Sequence, residues 1–165
     1  MSEYLLGLDI SGTSTGYAVI AREETGELRL CTVGHIKTSS KNTDGERMSK
    51  IRDRIDILFD IYPISKVIRE RGFSNNRHRS TQLIFKSIGV AELTCNDRGF
   101  PEVIEYAPTT IKLQVGGSGK ADKDDVKKGV KKFFPDAEFK TDDESDAVAV
   151  ILTYLLKEGL LCLSI

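Results

Sequence analysis

Four acidic side chains have types and positions that suggest chemistry: Asp9, Glu70, Asp143 and Asp146. The first follows the apolar run YLLGL, where an unpaired carboxylate is energetically costly. The second ends the segment KVIRE and opens the stretch RGFSNNRHRS, which is too polar to be core. The last two are three residues apart, which places them on one face of a helix. All four therefore lie at the ends of predicted elements.

Carboxylates that converge on one point repel one another unless cations share the site. Their hard oxygen ligands favour Mg²⁺ or Mn²⁺. Two such ions about 4 Å apart can activate a water and stabilise the leaving oxygen when a phosphodiester is hydrolysed. If the four carboxylates meet in the fold, metal-dependent phosphodiester hydrolysis is the chemistry that they suit.

Each carboxylate also has an ordinary explanation. Asp9 could accept backbone N–H bonds from Thr13 or Ser14 in the following turn. Glu70 could pair with one of its two flanking arginines, and the last pair could be the usual acidic enrichment of a helix's first turn. The neighbouring Asp142 and Glu144 leave the choice of ligand on that turn open. His35 closes a strand and carries no functional signal.

Hydrophobic periodicity predicts the elements that position these residues. Alternation predicts strands over residues 4–10, 17–22 and 28–36, with Gly12 and Gly16 in the first turn. Helical spacing follows from Met48 to Tyr62, and then a strand over 66–70, a helix over about 80–93 and a strand over 103–106. A helix after Gly119 and a last helix from Asp143 complete the order β-β-β-α-β-α-β-α-α. This order predicts an α/β fold with a mixed five-stranded sheet, its first three strands antiparallel, flanked by helices.

The composition sets the limits. With 165 residues, 39% hydrophobic and 30% charged, the chain suits one domain over 1–165. The three cysteines, Cys31, Cys95 and Cys162, are far apart and predict reduced thiols rather than disulfides. No stretch has the composition of a signal peptide or a membrane span. We therefore expect a soluble, cytoplasmic protein without a membrane partner.

Positive charge is segregated although the net charge is only −1. Residues 66–86 contain six Lys or Arg against one Glu, and residues 110–132 contain seven Lys against three Asp. Both segments adjoin the proposed acidic site, as a surface that binds DNA phosphates would. A solvated helix face explains Lys127, Lys128, Lys131 and Lys132 equally well.

Four segments together resemble the RuvC family of Holliday junction resolvases, over nearly the whole chain. They are LGLDISGTSTGYAVI, VIRERGFSNNRHRSTQLIFKSIGVAEL, YAPTTIKLQVGGSGKADKDDV and DDESDAVAVIL. The resemblance implies a ribonuclease H-like fold and a magnesium-dependent endonuclease, with Mn²⁺ as a possible substitute, that nicks four-way junctions and other branched DNA. It also implies a homodimer, for which the second predicted helix offers Leu83, Ile84, Phe85 and Ile88, more apolar residues than one face needs.

The resemblance assigns roles residue by residue. The catalytic residues and metal ligands would be Asp9, Glu70, Asp143 and Asp146. Phe73 would stack on DNA bases, and Lys112 and Lys123 would contact DNA. The basic segments add Arg77, Arg79 and Lys120 to the predicted DNA contacts.

Two other functions compete with this one. A nucleotide-binding fold of the sugar-kinase and actin superfamily has a similar first loop, but it needs a second domain and a second phosphate loop that this chain lacks. A catalytically inactive binder of branched DNA is disfavoured because all four acidic positions are filled.

Overall fold

The structure, a computed structural model, describes residues 1–72 and 78–161. Its strands are β1 (Glu3–Ile10), β2 (Ser14–Arg22), β3 (Leu28–Lys37), β4 (Ile64–Glu70) and β5 (Ile104–Tyr106). They form one sheet in the order β3-β2-β1-β4-β5. The first three strands pair antiparallel, and β4 pairs in parallel with both β1 and β5. The predicted mixed sheet is confirmed.

Helices cover both faces of this sheet. They are α1 (Asp44–Ile61), α2 (His78–Asp97), α3 (Pro108–Gly116), α4 (Lys123–Phe133) and α5 (Asp142–Lys157). One core lies between the sheet and the helices α3, α4 and α5, and a second lies between the sheet and α1 and α2. The α/β class with flanking helices is thus also confirmed.

The helix α3 was not predicted from the sequence. It is only nine residues long, and its β-branched residues lower its helical propensity; they are Thr109, Thr110, Ile111 and Val115. Two local signals could have found it. Pro108 occupies the first turn, and Gly117 ends the helix with a φ of 84°, the conformation that glycine adopts most readily at this position.

Side-chain alternation along β1 decides what Asp9 faces. Leu5 belongs to the core beneath α5, whereas Leu6 and Leu8 belong to the core beneath α1 and α2. Successive strand residues point to opposite faces. Gly7 and Asp9 therefore lie on the face that α5 covers.

Two glycines let α5 lie directly on β1 and β2. Gly16 is inside β2 and opposite Asp9, not in the turn where the sequence pattern had put it. A Cβ atom at Gly16 would overlap the carbonyl group of Asp143, and one at Gly7 would overlap the carbonyl oxygen of Ala147. Any other residue at either position would push the helix off the sheet.

The helix α2 uses only part of its apolar surface within the protomer. Leu83 and Ile88 are buried in the core, so they are not available to a partner as the sequence had suggested. Phe85 and Leu93 remain 52% and 59% exposed. The exposed apolar surface of α2 is therefore carried by these two residues.

The two cysteines within the described residues match the predicted reduced thiols. Cys31 and Cys95 are free thiols, and burial raises the pKa of Cys95 to about 12, which makes it unreactive. Cys162 lies outside the described residues. Among the described helices, none is both long and apolar enough to cross a lipid bilayer.

Candidate active site

Asp9 and Glu70 meet at one edge of the sheet. They lie at the carboxyl ends of β1 and β4, which are parallel neighbours whose register pairs Leu8 with Arg69. Ile68 belongs to the core beneath α5, so Glu70, two residues later, lies on the same face as Asp9. The two carboxylates are therefore neighbours across the strand pair.

The first turns of α5 bring Asp143 and Asp146 to the same edge. The backbone of Asp143 lies against Gly16, the register partner of Asp9. Charges on Glu70, Asp143 and Asp146 all act on the Asp9 carboxyl. All four acidic residues that the sequence singled out thus come together from β1, β4 and α5.

Burial makes the ionised form of these carboxylates unfavourable. It raises the pKa of Asp9 well above its ordinary value, and the nearby charges of Glu70, Asp146 and Asp143 raise it further. Among the described residues, the charge of Lys123 lowers the pKa of this group. Asp9 therefore sits in a potential that favours a proton or another cation.

Glu70 and Asp146 respond to the same environment. Burial, followed by the charge of Asp146, raises the pKa of Glu70 to about 7, although Lys112 and Lys123 oppose the shift. Burial also raises the pKa of Asp146 to about 6. Perturbed carboxyl groups that cluster in this way are typical of functional sites.

The donor set fits a hard divalent cation by its chemistry. Asp9, Glu70, Asp143 and Asp146 would supply only oxygen ligands, as Mg²⁺ and Mn²⁺ prefer. In the described part of the chain, however, no three acidic, histidine or cysteine side chains are arranged to hold an ion. The carboxylates are gathered but not closed into a cage, as their mutual repulsion requires.

The turn after β1 does not depend on Asp9. The hydroxyl of Ser11 accepts a hydrogen bond from the backbone N–H of Ser14 at 3.1 Å, and the N–H of Ser11 donates to the carbonyl of Ser14. Ser11 therefore performs the capping role that the sequence allowed for Asp9.

The arginines that flank Glu70 have other partners. Arg69 and Arg71 both pair with Glu105, at 2.8 Å and 3.0 Å. Arg69 also pairs with Glu92 at 2.7 Å. An ordinary salt bridge with a sequence neighbour does not explain the position of Glu70.

Glu144 and Asp142, whose roles the sequence left open, also have partners of their own. Glu144 accepts hydrogen bonds from Nδ1 of His35 at 2.7 Å and from the N–H of Lys140 at 2.7 Å. Asp142 pairs with Lys123 at 3.4 Å. Neither side chain is free to join the four carboxylates without losing these contacts.

Sequence analysis missed His35. Its contact with Glu144 joins β3 to the first turn of α5 across 109 residues of sequence. The available signal was that Glu144 opens a segment that is apolar on all sides, where a buried carboxylate needs a partner. In the fold Glu144 is only 3% exposed. The pair fixes the end of α5 that carries Asp143.

A cleft of about 710 Å³ opens beside the carboxylates. Its walls include Glu70 and Asp146, together with Lys112 from α3 and Lys123 at the start of α4. Two of the predicted DNA-contacting lysines are thus brought next to two of the carboxylates. The arrangement offers positive charge for a phosphate within reach of the acidic residues.

The other predicted DNA contacts are more scattered. Lys120 is exposed in the loop between α3 and α4. Arg79 lies in the first turn of α2 and pairs with Asp44 at 3.2 Å. Phe73 and Arg77 lie outside the described residues, so their predicted roles remain predictions.

Sequence comparison identifies one family. The model described as crossover junction endodeoxyribonuclease RuvC matches residues 5–154. A relative with this description from Ehrlichia canis is 34% identical over 151 residues, which cover 91% of this chain and 94% of the relative. Another from Paenarthrobacter aurescens is 32% identical over 160 residues, or 96% of this chain and 84% of the relative.

Solved structures share the fold. Thermus thermophilus RuvC in complex with a Holliday junction substrate matches with a TM-score of 0.85 at 23% identity, over 96% of this chain and 97% of that chain. The yeast mitochondrial Holliday junction resolvase matches with a TM-score of 0.67 at 12% identity, over 94% and 79% of the two chains.

Proposed function

Because the chain belongs to the RuvC family of crossover junction endodeoxyribonucleases, we propose that it is a Holliday junction resolvase that nicks four-way junctions by magnesium-dependent hydrolysis. One observation carries the proposal beyond family membership. Four carboxylates from β1, β4 and α5 gather beside a cleft that two lysines line. Such a site can bind a phosphodiester and the cations needed to cleave it.

The direct test uses a labelled four-way junction, a fork and a linear duplex of matched sequence, each incubated with and without Mg²⁺. We expect nicks in the junction only when Mg²⁺ is present, and little cutting of the duplex. Equal cutting of junction and duplex, or undiminished cutting in EDTA, would contradict the proposal.

The lysines and the carboxylates would have different roles in the reaction. Lys112 and Lys123 would hold the phosphate by charge, and Asp9, Glu70, Asp143 and Asp146 would hold Mg²⁺, for which Mn²⁺ could substitute. When bound, Mg²⁺ supplies an activated water and charge stabilisation for the leaving oxygen. The raised pKa of Glu70, about 7, means that this carboxyl gives up its proton near neutral pH as a cation takes its place.

The metal-free protein should lose stability as the pH rises from 5 to 8. The pKa of Glu70 is 4.5 ordinarily and about 7 in the fold, and that of Asp146 rises from 3.8 to about 6. The contribution of these two carboxyls to folding stability is therefore complete at a pH below their ordinary pKa values. It is lost as the pH rises through their pKa values in the fold. A loss of about 1.4 kcal/mol per pKa unit corresponds to a fall of several degrees in melting temperature.

Thermal melts at each pH, in EDTA and in Mg²⁺ or Mn²⁺, provide the measurement. Glu70→Gln should flatten the profile, and the cations should raise the melting temperature of the wild type more than that of Asp9→Asn. Calcium should bind without supporting turnover. Equal cation shifts in the wild type and Asp9→Asn would show that the ions bind elsewhere.

The lysines of the cleft should contribute to junction binding by attracting the negative charge of the DNA phosphates. Lys112→Ala and Lys123→Ala should each weaken junction binding and reduce its salt dependence by about one released ion. Lys66→Ala is a matched control, because Lys66 is exposed near the other end of β4. If the dependence of affinity on salt concentration is unchanged in the two cleft variants, these lysines do not contact phosphate and belong to a solvated surface.

We also propose a homodimer that pairs through α2. Phe85 and Leu93 are exposed on this helix, and Gly89, between them, has no heavy atom within 4 Å of the position of a Cβ. A bare glycine flanked by exposed apolar side chains permits two helices to approach closely. Two subunits would supply the two active sites that symmetric cutting of a junction requires.

The alternatives are not favoured. The model of the crossover junction endodeoxyribonuclease family matches residues 5–154, which favours a nuclease over a sugar-kinase or actin-like domain. An inactive binder would have no use for four carboxylates held together at a cost in stability. Phe73, Arg77, Arg79 and Lys120 complete the proposed DNA contacts, and the free thiols Cys31 and Cys95 support a cytoplasmic location.

A further inference from the structure

A second cleft lies at the turn that follows β1. It is lined by side chains and backbone of Ser11, Gly12, Ser40, Arg47, Arg79 and Ser80, among others. It begins only two residues after Asp9, which corresponds to about 7 Å of extended chain. Of the residues that line this cleft, Arg79 alone was among the predicted DNA contacts.

Arg47 is the unusual member of this group. It is 5% exposed, and its Nε and Nη2 donate to Oγ1 of Thr38 at 3.0 Å and to the carbonyl oxygen of Gly12 at 2.6 Å. Both acceptors are neutral. Within residues 1–72 and 78–161, Arg47 forms no ion pair with a carboxylate.

An arginine buried in this way is normally paired with an anion, because an uncompensated buried charge is costly. The adjacent Glu46 does not fill this need, because its side chain accepts the backbone N–H of Thr43 at 2.6 Å. Asp44 does not fill it either. It is already paired with Arg79 at 3.2 Å and with Lys86 at 2.7 Å. Arg47 acts on Asp44 only through its charge, without an ion pair, so positive charge exceeds negative charge around the cleft.

We propose that this second cleft binds a backbone phosphate of the DNA strand, within a few nucleotides of the phosphate that is cut. Arg47 and Arg79 provide charge, the fork of a guanidinium suits phosphate oxygens, and the hydroxyls of Ser40 and Ser80 provide further donors. Gly12 adds no side chain that would fill the space. The turn after Asp9 would then be held between two bound phosphates.

This inference rests on the proposed function, and its test distinguishes the two. A set of four-way junctions carries a single neutral methylphosphonate at successive positions around the cut site, and binding is measured in Ca²⁺ so that no cutting occurs. We expect the wild type to lose about tenfold in affinity at one position served by Arg47, as the loss of a charged hydrogen bond predicts.

The variant Arg47→Gln should be insensitive to the methylphosphonate at that one position and should keep wild-type sensitivity at the positions served by Lys112 and Lys123. A uniform loss of affinity, with the wild-type sensitivity retained at every position, would overturn the inference. It would mean that Arg47 only fastens the turn through Gly12 and Thr38.

A second variant keeps the test decisive if Arg47→Gln does not fold. Ser80→Asp puts a carboxylate into the cleft, where it can pair with the arginines. We expect an unchanged or raised melting temperature and loss of sensitivity at the same phosphate, whereas the neutral control Ser80→Asn should keep that sensitivity. Retained sensitivity in Ser80→Asp would overturn the inference alone, whereas failure of the wild type to bind any junction would overturn the proposed function as well.

Discussion

Replacing any one of the four carboxylates by its amide should abolish junction nicking without abolishing junction binding; the variants are Asp9→Asn, Glu70→Gln, Asp143→Asn and Asp146→Asn. The expected loss is on the order of a thousandfold or more, because several kcal/mol of transition-state stabilisation would depend on each proposed metal ligand. The change from carboxylate to amide keeps the size of the side chain. It removes only a negative charge and a strong cation ligand.

Binding should stay the same or become tighter in these variants, since each one removes a negative charge that faces phosphate. For Asp9, Glu70 and Asp146 the amide also relieves the unfavourable burial of charge, so the metal-free variants should not melt below the wild type in EDTA at pH 8. This combination separates a catalytic loss from a folding defect.

Asp142→Asn is the matched control for this series. It makes the same chemical change in the same turn of α5, but its carboxylate pairs with Lys123, and its charge acts on Asp146 and is not among those that act on Asp9. We expect it to retain most of the nicking activity. Wild-type nicking by Asp9→Asn, measured on a labelled junction in Mg²⁺, would rule out the mechanism.

A single substitution on α2, Gly89→Glu, should convert the proposed dimer into a monomer that no longer resolves junctions efficiently. Within one protomer the new side chain meets no heavy atom within 4 Å of its Cβ, and glycine is a poorer helix former by about 0.5–1 kcal/mol. The monomer should therefore melt no lower than the wild-type protomer. At a close contact between two α2 helices, by contrast, two glutamates would be buried without partners.

Light scattering after size exclusion gives the mass, and cutting of both strands of a junction gives the functional readout. We expect the mass of a monomer and a drop of at least about tenfold in paired cutting, since a loss of about 1.4 kcal/mol in association already weakens the dimer tenfold. Ile57→Glu is the control. Ile57 is 43% exposed on α1, near Lys37 of β3 and Arg54 of α1. A dimeric and active Gly89→Glu protein would exclude α2 as the interface.

The sequence by itself determined the fold class and the residues to examine. Period-2 and helical patterns are local, so three strands, the change to β-α-β order and most helices could be predicted from neighbouring residues alone. The helix α3 was the exception, because nine residues rich in β-branched side chains give too weak a local signal. Four short motifs in order were enough to single out Asp9, Glu70, Asp143 and Asp146.

The tertiary structure alone decided which of these residues are neighbours and which roles are already filled. Three contacts depend on how β2, β3, α4 and α5 pack. Glu144 binds His35, Asp142 binds Lys123, and the backbone of Asp143 lies against Gly16. The sequence also gave no sign that Arg47 is buried without a carboxylate partner in the described part of the chain. Such contacts cannot be predicted from local sequence patterns, because burial and charge pairing are set by residues far apart in the chain. The relative positions of these residues are defined only once the sheet order and the helix faces are fixed.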